Sequence, residues 1–229
     1  MARPPFPRPI APSDYDAIIA SDKEMYPTDS PLTPEAMAQW YMYQPEFGMI
    51  YDGYGCCIVV LVSKATWQAY VRKDIDEAGL VDGIVDALSS SNDEIGLHLY
   101  HIEKTQAWTR QFDRMANVVV RDLARILENL NAIRMSKHGL KSLKVVGFSA
   151  LTASDAGFRM AKNVFGMTQC HAAEEFLFRN RKSRELAVFT AHDLPQDEEE
   201  WEREGETRLM ALEGIDACSY LFAGPPQSA

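Results

Sequence analysis

Between residues 98 and 116 the chain reads HLYHIEKTQAWTRQFDRMA, where His98, His101 and Glu103 crowd together just ahead of a Gln-x-x-Arg-x-Ala run. Three chemistries suit these residue types: metal ligation by paired imidazoles, general-base catalysis by a carboxylate beside an imidazole, and anion binding at the head of a helix. Strand side chains alternate between faces, so His98 and His101, three apart, should point to opposite sides of a sheet and cannot share an ion. HxxH also lacks the further downstream ligands of a zinc enzyme. No metal is therefore expected. His101 and Glu103 are two apart and should share a face with Leu97 and Leu99. Burial raises a carboxyl pKa toward neutrality, so Glu103 at the end of an apolar strand fits a general base, with His101 beside it. A strand end reaching solvent has the same composition.

Anion binding fits the stretch after Lys104. A strand that stops, a short loop and a helix leave four backbone N–H groups and the positive end of the helix dipole facing one way. Arg114, Arg121 and Arg125 fall at steps of seven and four, a basic stripe beginning in that first turn. An arginine there could add a bidentate phosphate contact; a solvated helix face gives the same spacing.

The elements that must position these groups can be traced along the chain. RPIAP (8–12) offers a short edge strand, and Ser13 or Asp14 caps a helix through DYDAIIASDKEMY that Pro27 ends. After the turn-rich PTDSPL, Thr33 caps a second helix, PEAMAQWYMY. GMIYD (48–52) and CCIVVLVS (56–63) form a hairpin through Gly53-Tyr54-Gly55, and the second member is apolar on both faces, so it is covered on two sides. Residues 65–88 read as mixed, helical and peripheral. EIGLHLYHIEK (94–104) is a third, long strand. Ala116, Val119, Val120, Leu123, Leu127 and Leu130 recur at helical steps, predicting a helix with one face on the sheet. LKVVGFSAL (143–151) reads as a buried strand and SDAGFRMAKNVFGM (154–167) as a short helix closed by Gly166. Segments 170–179 and 184–192 make a hairpin, with Trp40 and Tyr41 on the second helix assigned to core or lid. Beyond His192 the chain turns acidic and helix-prone. The domain division is thus 8–192, followed by a partly helical extension over 193–229.

Composition narrows the partners. The 229 residues carry 46% apolar content, enough for a sizeable core, and a formal charge of −10 from 33 acidic and 23 basic residues. Binding a phosphate backbone needs clustered positive charge, so nucleic acid is not expected, and a cationic small molecule or peptide is favoured. Cys56, Cys57, Cys170 and Cys218 lack metal spacing and read as free thiols of a reducing compartment. No run of ~20 apolar residues could span a bilayer, so no membrane partner and a cytoplasmic location are expected.

The order of these elements resembles the GNAT acetyltransferase fold, an α/β architecture with a mixed, mostly antiparallel central sheet flanked by helices. RPIAPSDYDAIIASDKEMYP is similar to the opening of such enzymes, and SALTASDAGFRMAKNVFGM to their late strand-helix motif, over about residues 8–192. The resemblance implies an acetyl-CoA-dependent N-acetyltransferase, with acetyl-CoA as co-substrate and no metal. The acceptor would be a primary amine on a small molecule or peptide, and a homodimer is compatible with it. The family's Gln/Arg-x-x-Gly-x-Gly/Ala motif is matched at Gln111 and Ala116 of Gln111-Phe112-Asp113-Arg114-Met115-Ala116. It departs at Arg114, which would either obstruct the diphosphate or contact it.

By the same resemblance, Ile102 to Lys104 offer backbone groups to the pantetheine arm, and Asp155 stands near it where the family often has asparagine. Glu103 is the candidate base, acting through water or His101. Lys162 occupies the position of the tyrosine that commonly protonates the leaving thiolate, so the acid would be Cys170, Tyr54 or Ser149. Substrate walls would come from Tyr26 and Asp29 and from Glu174 and Glu175. The alternative reading is a non-catalytic module that holds an acyl-CoA or another ligand, favoured by Arg114 and Lys162.

Overall fold

The computed structural model describes residues 5–27, 31–112, 115–197, 199–214, 217 and 221; Asp29, Asp113, Arg114 and Cys218 lie outside the described residues. In chain order the elements are β1 (Arg8–Pro9), α1 (Tyr15–Met25), α2 (Pro34–Trp40), β2 (Gly48–Tyr51), β3 (Gly55–Ser63), α3 (Lys64–Val71), β4 (Glu94–Lys104), α4 (Gln106–Gln111), α5 (Met115–His138), β5 (Lys144–Thr152), α6 (Asp155–Val164), β6 (Thr168–Gln169), β7 (Glu175–Asn180), β8 (Leu186–Thr190), β9 (Trp201–Glu206) and β10 (Arg208–Glu213). Several boundaries are set by single side chains. Thr33 Oγ1 accepts from the Ala36 amide at 3.2 Å and Ser154 Oγ from Gly157 at 3.1 Å, each meeting an orphan donor of a first helical turn. Asp14 does not cap α1 in this way. Its carboxylate accepts from Arg8 Nη1 at 2.7 Å and from the Ala11 amide at 2.8 Å, tying β1 to the turn that enters the helix.

The fold is α/β, with a seven-stranded mixed sheet in the order β1-β2-β3-β4-β5-β10-β6, flanked by helices, and a small second sheet. Every neighbouring pair of the large sheet is antiparallel except β4 and β5, which run parallel from Glu94–Lys144 to Leu99–Ala150. Past that point the two strands keep different company. His101 to Lys104 stay in register with Ile58 to Gly55 of β3, while Leu151 and Thr152 stay with Leu209 and Arg208 of β10. The sheet therefore opens into a wedge between β4 and β5. Gly55, at φ 144°, lets β3 approach so closely that a Cβ there would sit 2.1 Å from the Glu103 carbonyl oxygen.

A bulge at the head of the wedge corrects the expectation for the histidines. His98 pairs with Val60 and Leu99 with Val59, yet Ile58 pairs with His101, so Tyr100 is an extra residue in β4. One extra residue inverts the alternation downstream of it. Val60 and Ile58 share a face, and so, therefore, do His98 and His101. For the same reason His101 and Glu103 do not share the face of Leu97 and Leu99.

The face of His98 and His101 is anchored by α3, which is central and not peripheral as the sequence suggested. Gly96 and Gly147 lie directly opposite one another across β4 and β5, and the Trp67 indole fills the slot above them. A Cβ on either glycine would meet the ring at 2.1 Å. The helix stops at Val71 and a 3-10 turn at Ala78–Gly83 replaces the longer helix expected over 65–88. On the other face α5 packs the predicted stripe, with Val119, Leu123 and Leu127 buried. Near its C-terminal end the fully buried Arg134 donates to the carbonyls of Lys141, Ala87 and Ser90, closing the loop that enters β4. Among the described residues no helix is long and apolar enough to cross a membrane.

The chain beyond residue 192 is not a helical appendage. Strand β9 joins β7 and β8 in a three-stranded sheet of order β8-β7-β9, and β10 inserts between β5 and β6 of the large one. The acidic run becomes a strand because its charges find cross-strand partners: Glu204 pairs with Arg179 and Glu202 with Arg181. The expected hairpin exists as β7 and β8, antiparallel in register, but outside the central sheet. Replacing Gly147 with alanine is expected to destabilise the fold by about 1–3 kcal/mol through overpacking against Trp67, measured by urea denaturation; an unchanged midpoint would show that the slot is loose.

Candidate functional site

The wedge holds a cavity of about 480 Å³, walled by Leu99, Ile102, Ala150, Leu151 and Leu177 and floored by the first turns of α6 at Ser154 and Gly157. Its β4 wall is the edge of Tyr100–Lys104 left without a strand partner on the β5 side, so main-chain amide and carbonyl groups face the opening. A second cavity of about 460 Å³ adjoins it, lined by Trp40, Tyr70, Ile75, Ala172, Glu174 and Glu175 among others. Tyr26, Glu77, Tyr100 and Leu151 line both. Both chambers pair apolar walls with carboxylates, Asp22, Glu24, Glu77 and Glu204 in the first and Asp76, Glu77, Glu174 and Glu175 in the second, which adds the rings of Trp40 and Tyr70.

Glu77 sits at the junction, presented at the start of the 3-10 turn that comes after α3. His98 Nε2 lies 2.7 Å from its Oε1, and His98 Nδ1 lies 2.9 Å from Ser149 Oγ. Ser149 Oγ also accepts from the Trp67 indole at 3.0 Å. Indole can only donate, and a hydroxyl that accepts from it can pass its own proton to Nδ1. That leaves Nε2–H to donate to Glu77, a chain of three fully or nearly fully buried groups ending on one carboxylate. Burial first, and then the carboxylate of Glu77 for Tyr70 and Tyr100 and that of Glu175 for Tyr26, raises these three phenols above the ordinary tyrosine range. They remain protonated donors around the junction. Tyr26 donates to Glu175, joining the end of α1 to the start of β7.

His101 stands one step along the same face. Its Nδ1 is 3.3 Å from Asp22 Oδ1 and its Nε2 is 3.6 Å from Glu103 Oε2, outside hydrogen-bond range. Ser21 Oγ donates to Glu103 Oε2 at 2.8 Å. Burial alone would push the imidazole down, but the hydrogen bond to Asp22 and the neighbouring Cys56 sulfur outweigh it, and the pKa is pushed up to about 10. A ring that holds its proton at neutral pH is no proton acceptor there, so the expectation of His101 as a basic relay is revised to a fixed cation.

The sequence-derived candidates separate into groups. Tyr26, His101 and Ile102 line the wedge cavity, and Tyr26 and Glu174 line the second one, where Glu174 meets Lys73 Nζ at 2.7 Å. Glu103 borders neither cavity, and Lys104 is exposed. Asp155 points to Arg208 at 3.2 Å on the surface. Four residues of the expected diphosphate motif are described. Gln111 ends α4 and accepts from the Tyr54 hydroxyl, Phe112 packs edge-on against Tyr54 and Trp108, and Met115 and Ala116 are buried in the core. Of the three proposed acids, Ser149 is buried in the His98 chain, Tyr54 lies beside Gln111, and Cys170 is exposed beyond β6. Glu77, Tyr70 and Trp40 were missed as a site. The usable signal was His98 itself, since an imidazole within an apolar strand requires a polar partner brought from elsewhere.

Because the folded-state pKa of His101 lies above the ordinary imidazole value of 6.5, its proton stabilises the fold. That contribution is complete below pH 6.5 and fades as pH rises toward 10. In protein stripped of divalent ions by chelator, unfolding free energy should fall across that window, and His101→Gln should flatten the fall; parallel curves for the two proteins would remove the cation assignment. No protein-family model matches this chain, and no curated protein matches it.

Proposed function

We propose that this protein is a GNAT-type N-acyltransferase, moving an acyl group from a thioester such as acetyl-CoA directly to an amine. One observation carries the reading: a wedge opened by the only parallel strand pair of the central sheet among the described residues adjoins a second, acidic chamber, and the two meet at Glu77. Volumes near 480 and 460 Å³ are those of small-molecule sites, which run from about 300 to 1,000 Å³. The wedge, with its free strand edge beside the apolar wall of Leu99, Ile102 and Leu151, suits an acyl-pantetheine arm, whose amides need main-chain partners. The second chamber suits a cationic acceptor, with carboxylates for the ammonium and aromatic faces for its apolar part.

A thioester supplies an electrophilic carbonyl carbon and a thiolate leaving group. Glu77, positioned by His98 and Ser149, takes the proton from the acceptor ammonium, a task we place here rather than on Glu103. The amine then adds to the carbonyl carbon, amide N–H groups on the open edge of β4 stabilise the oxyanion, and as it collapses the C–S bond breaks, the surplus proton on nitrogen passing to the departing thiolate to leave an amide and a free thiol. Acidic residues around the second chamber hold the acceptor, with Trp40 as a further contact. Its indole N–H is buried without a hydrogen-bond partner among the described residues, a donor available to a bound molecule.

Millimolar acetyl-CoA is expected to raise the melting temperature by mass action, and a panel of primary amines should release thiol. Glu77→Gln should lower kcat by about 10²-fold or more while leaving the acetyl-CoA-induced shift in place. Absence of both the shift and thiol release would sink the transferase reading. A retained shift with no release from any amine would favour the non-catalytic module instead.

A further inference from the structure

On the α1 side of the large sheet, beside the acyl site, a thiol, an imidazole and a carboxylate converge, and of the three only His101 borders a cavity. Cys56 and Glu103 are directly opposed across β3 and β4, and His101, two residues from Glu103 and paired with Ile58, stands on the same face. One donor atom from each of the three lies within 4.8 Å of the others. His101 is buried, and its Nε2 has no hydrogen-bond partner among the described residues. A buried, unpaired ring nitrogen is costly unless something outside the protein's own atoms satisfies it. The groups behind the three complete the pattern. Asp22 holds Nδ1, the far nitrogen of the ring, and Ser21 holds one oxygen of Glu103.

We propose that Cys56 Sγ, His101 Nε2 and the Glu103 carboxylate form a three-ligand site for a divalent transition-metal ion of zinc type, with Asp22 and Ser21 orienting the ligands. A carboxylate on the non-ligating nitrogen is the usual partner of a metal-bound histidine, fixing tautomer and ring plane. Tetrahedral zinc at ~2.0–2.3 Å from N, O and S ligands puts those ligands about 3.3–3.5 Å apart. The Nε2 to Oε2 separation of 3.6 Å is already near that figure, and the other two separations lie within 4.8 Å, so small side-chain adjustments would close the triad. Thiolate, imidazole and carboxylate together favour zinc or cobalt over magnesium or calcium, which want oxygen ligands alone. Binding releases the proton of the thiol and that of Nε2 to solvent. Three protein ligands leave a fourth position for water. The anions Asp22 and Glu103 and the sulfur of Cys56 are the groups that face the ring from α1, β4 and β3.

Chelator-treated full-length protein titrated with zinc chloride is expected to bind one ion per chain and to melt at a higher temperature. With cobalt chloride it should show a near-ultraviolet thiolate-to-cobalt charge-transfer band. Cys56→Ser should abolish the band, and Cys170→Ser should leave it intact. Glu103→Gln, at a partly exposed position that does not threaten folding, should weaken zinc by about 10–100-fold, as should Asp22→Asn. A band that survives Cys56→Ser but vanishes in Cys170→Ser would overturn the assignment. So would zinc affinity unchanged in both Glu103→Gln and Asp22→Asn, or no binding of either ion at micromolar concentration. None of these readouts depends on acyl transfer, so they stand or fall apart from the activity proposed above.

Discussion

The Trp67 indole lying across Gly96 and Gly147 fixes the sheet at the place from which everything else diverges. Two glycines opposed across a parallel pair leave a slot that only a flat ring fills, and the ring's N–H reaches Ser149 two residues further along β5. Close packing at that point holds β4 and β5 together at their start, while commitment to β3 and to β10 separates them at their ends. The opening is therefore a property of strand partnership. The same indole also begins the chain of hydrogen bonds that ends on Glu77, so packing and site chemistry share one residue.

The extra residue in β4 has effects out of proportion to its size. Without Tyr100 as a bulge, His101 and Glu103 would face α5 and the β4 edge would carry a different set of side chains into the wedge. With it, His98 and His101 stand on one face but answer to different carboxylates, Glu77 and Asp22. Two imidazoles three residues apart thus take two roles. His98 is woven into a buried relay, and His101 keeps one nitrogen tethered and the other idle.

Much of the framework was legible from residue patterns. The apolar run of β3, the helical stripe of α5 and the oxygen caps at Thr33 and Ser154 each act within a few residues, and sequence displays them directly. Register is different, because a bulge is a relation between two strands and neither strand alone records it; simple alternation misplaces His98 and His101 for that reason. The acidic strand β9 was read as helix since its stabilising partners, Arg179 and Arg181, lie in another segment. The site was legible only in part. Tyr26, Ile102 and Glu174 were placed by analogy of order and do border the cavities, whereas Glu77 reaches the junction from a turn whose neighbours are set entirely by the fold. The motif at 111–116 spans the junction of α4 and α5, and two of its residues, Asp113 and Arg114, lie outside the described residues.

The position of β10 carries a consequence for how the molecule is made. It is an interior strand of the large sheet, hydrogen-bonded to β5 on one side and β6 on the other, yet it is synthesised after the whole three-stranded sheet. Until it emerges, β5 presents a bare edge, and the divergence from β4 has nothing to pull against. Distant pairings of this kind close slowly, since loop entropy is lost before any contact is gained. During synthesis, then, the nascent chain would carry a finished β1–β4 half while the wedge is still unassembled, and the cavity between β4 and β5 is completed in the last act of folding.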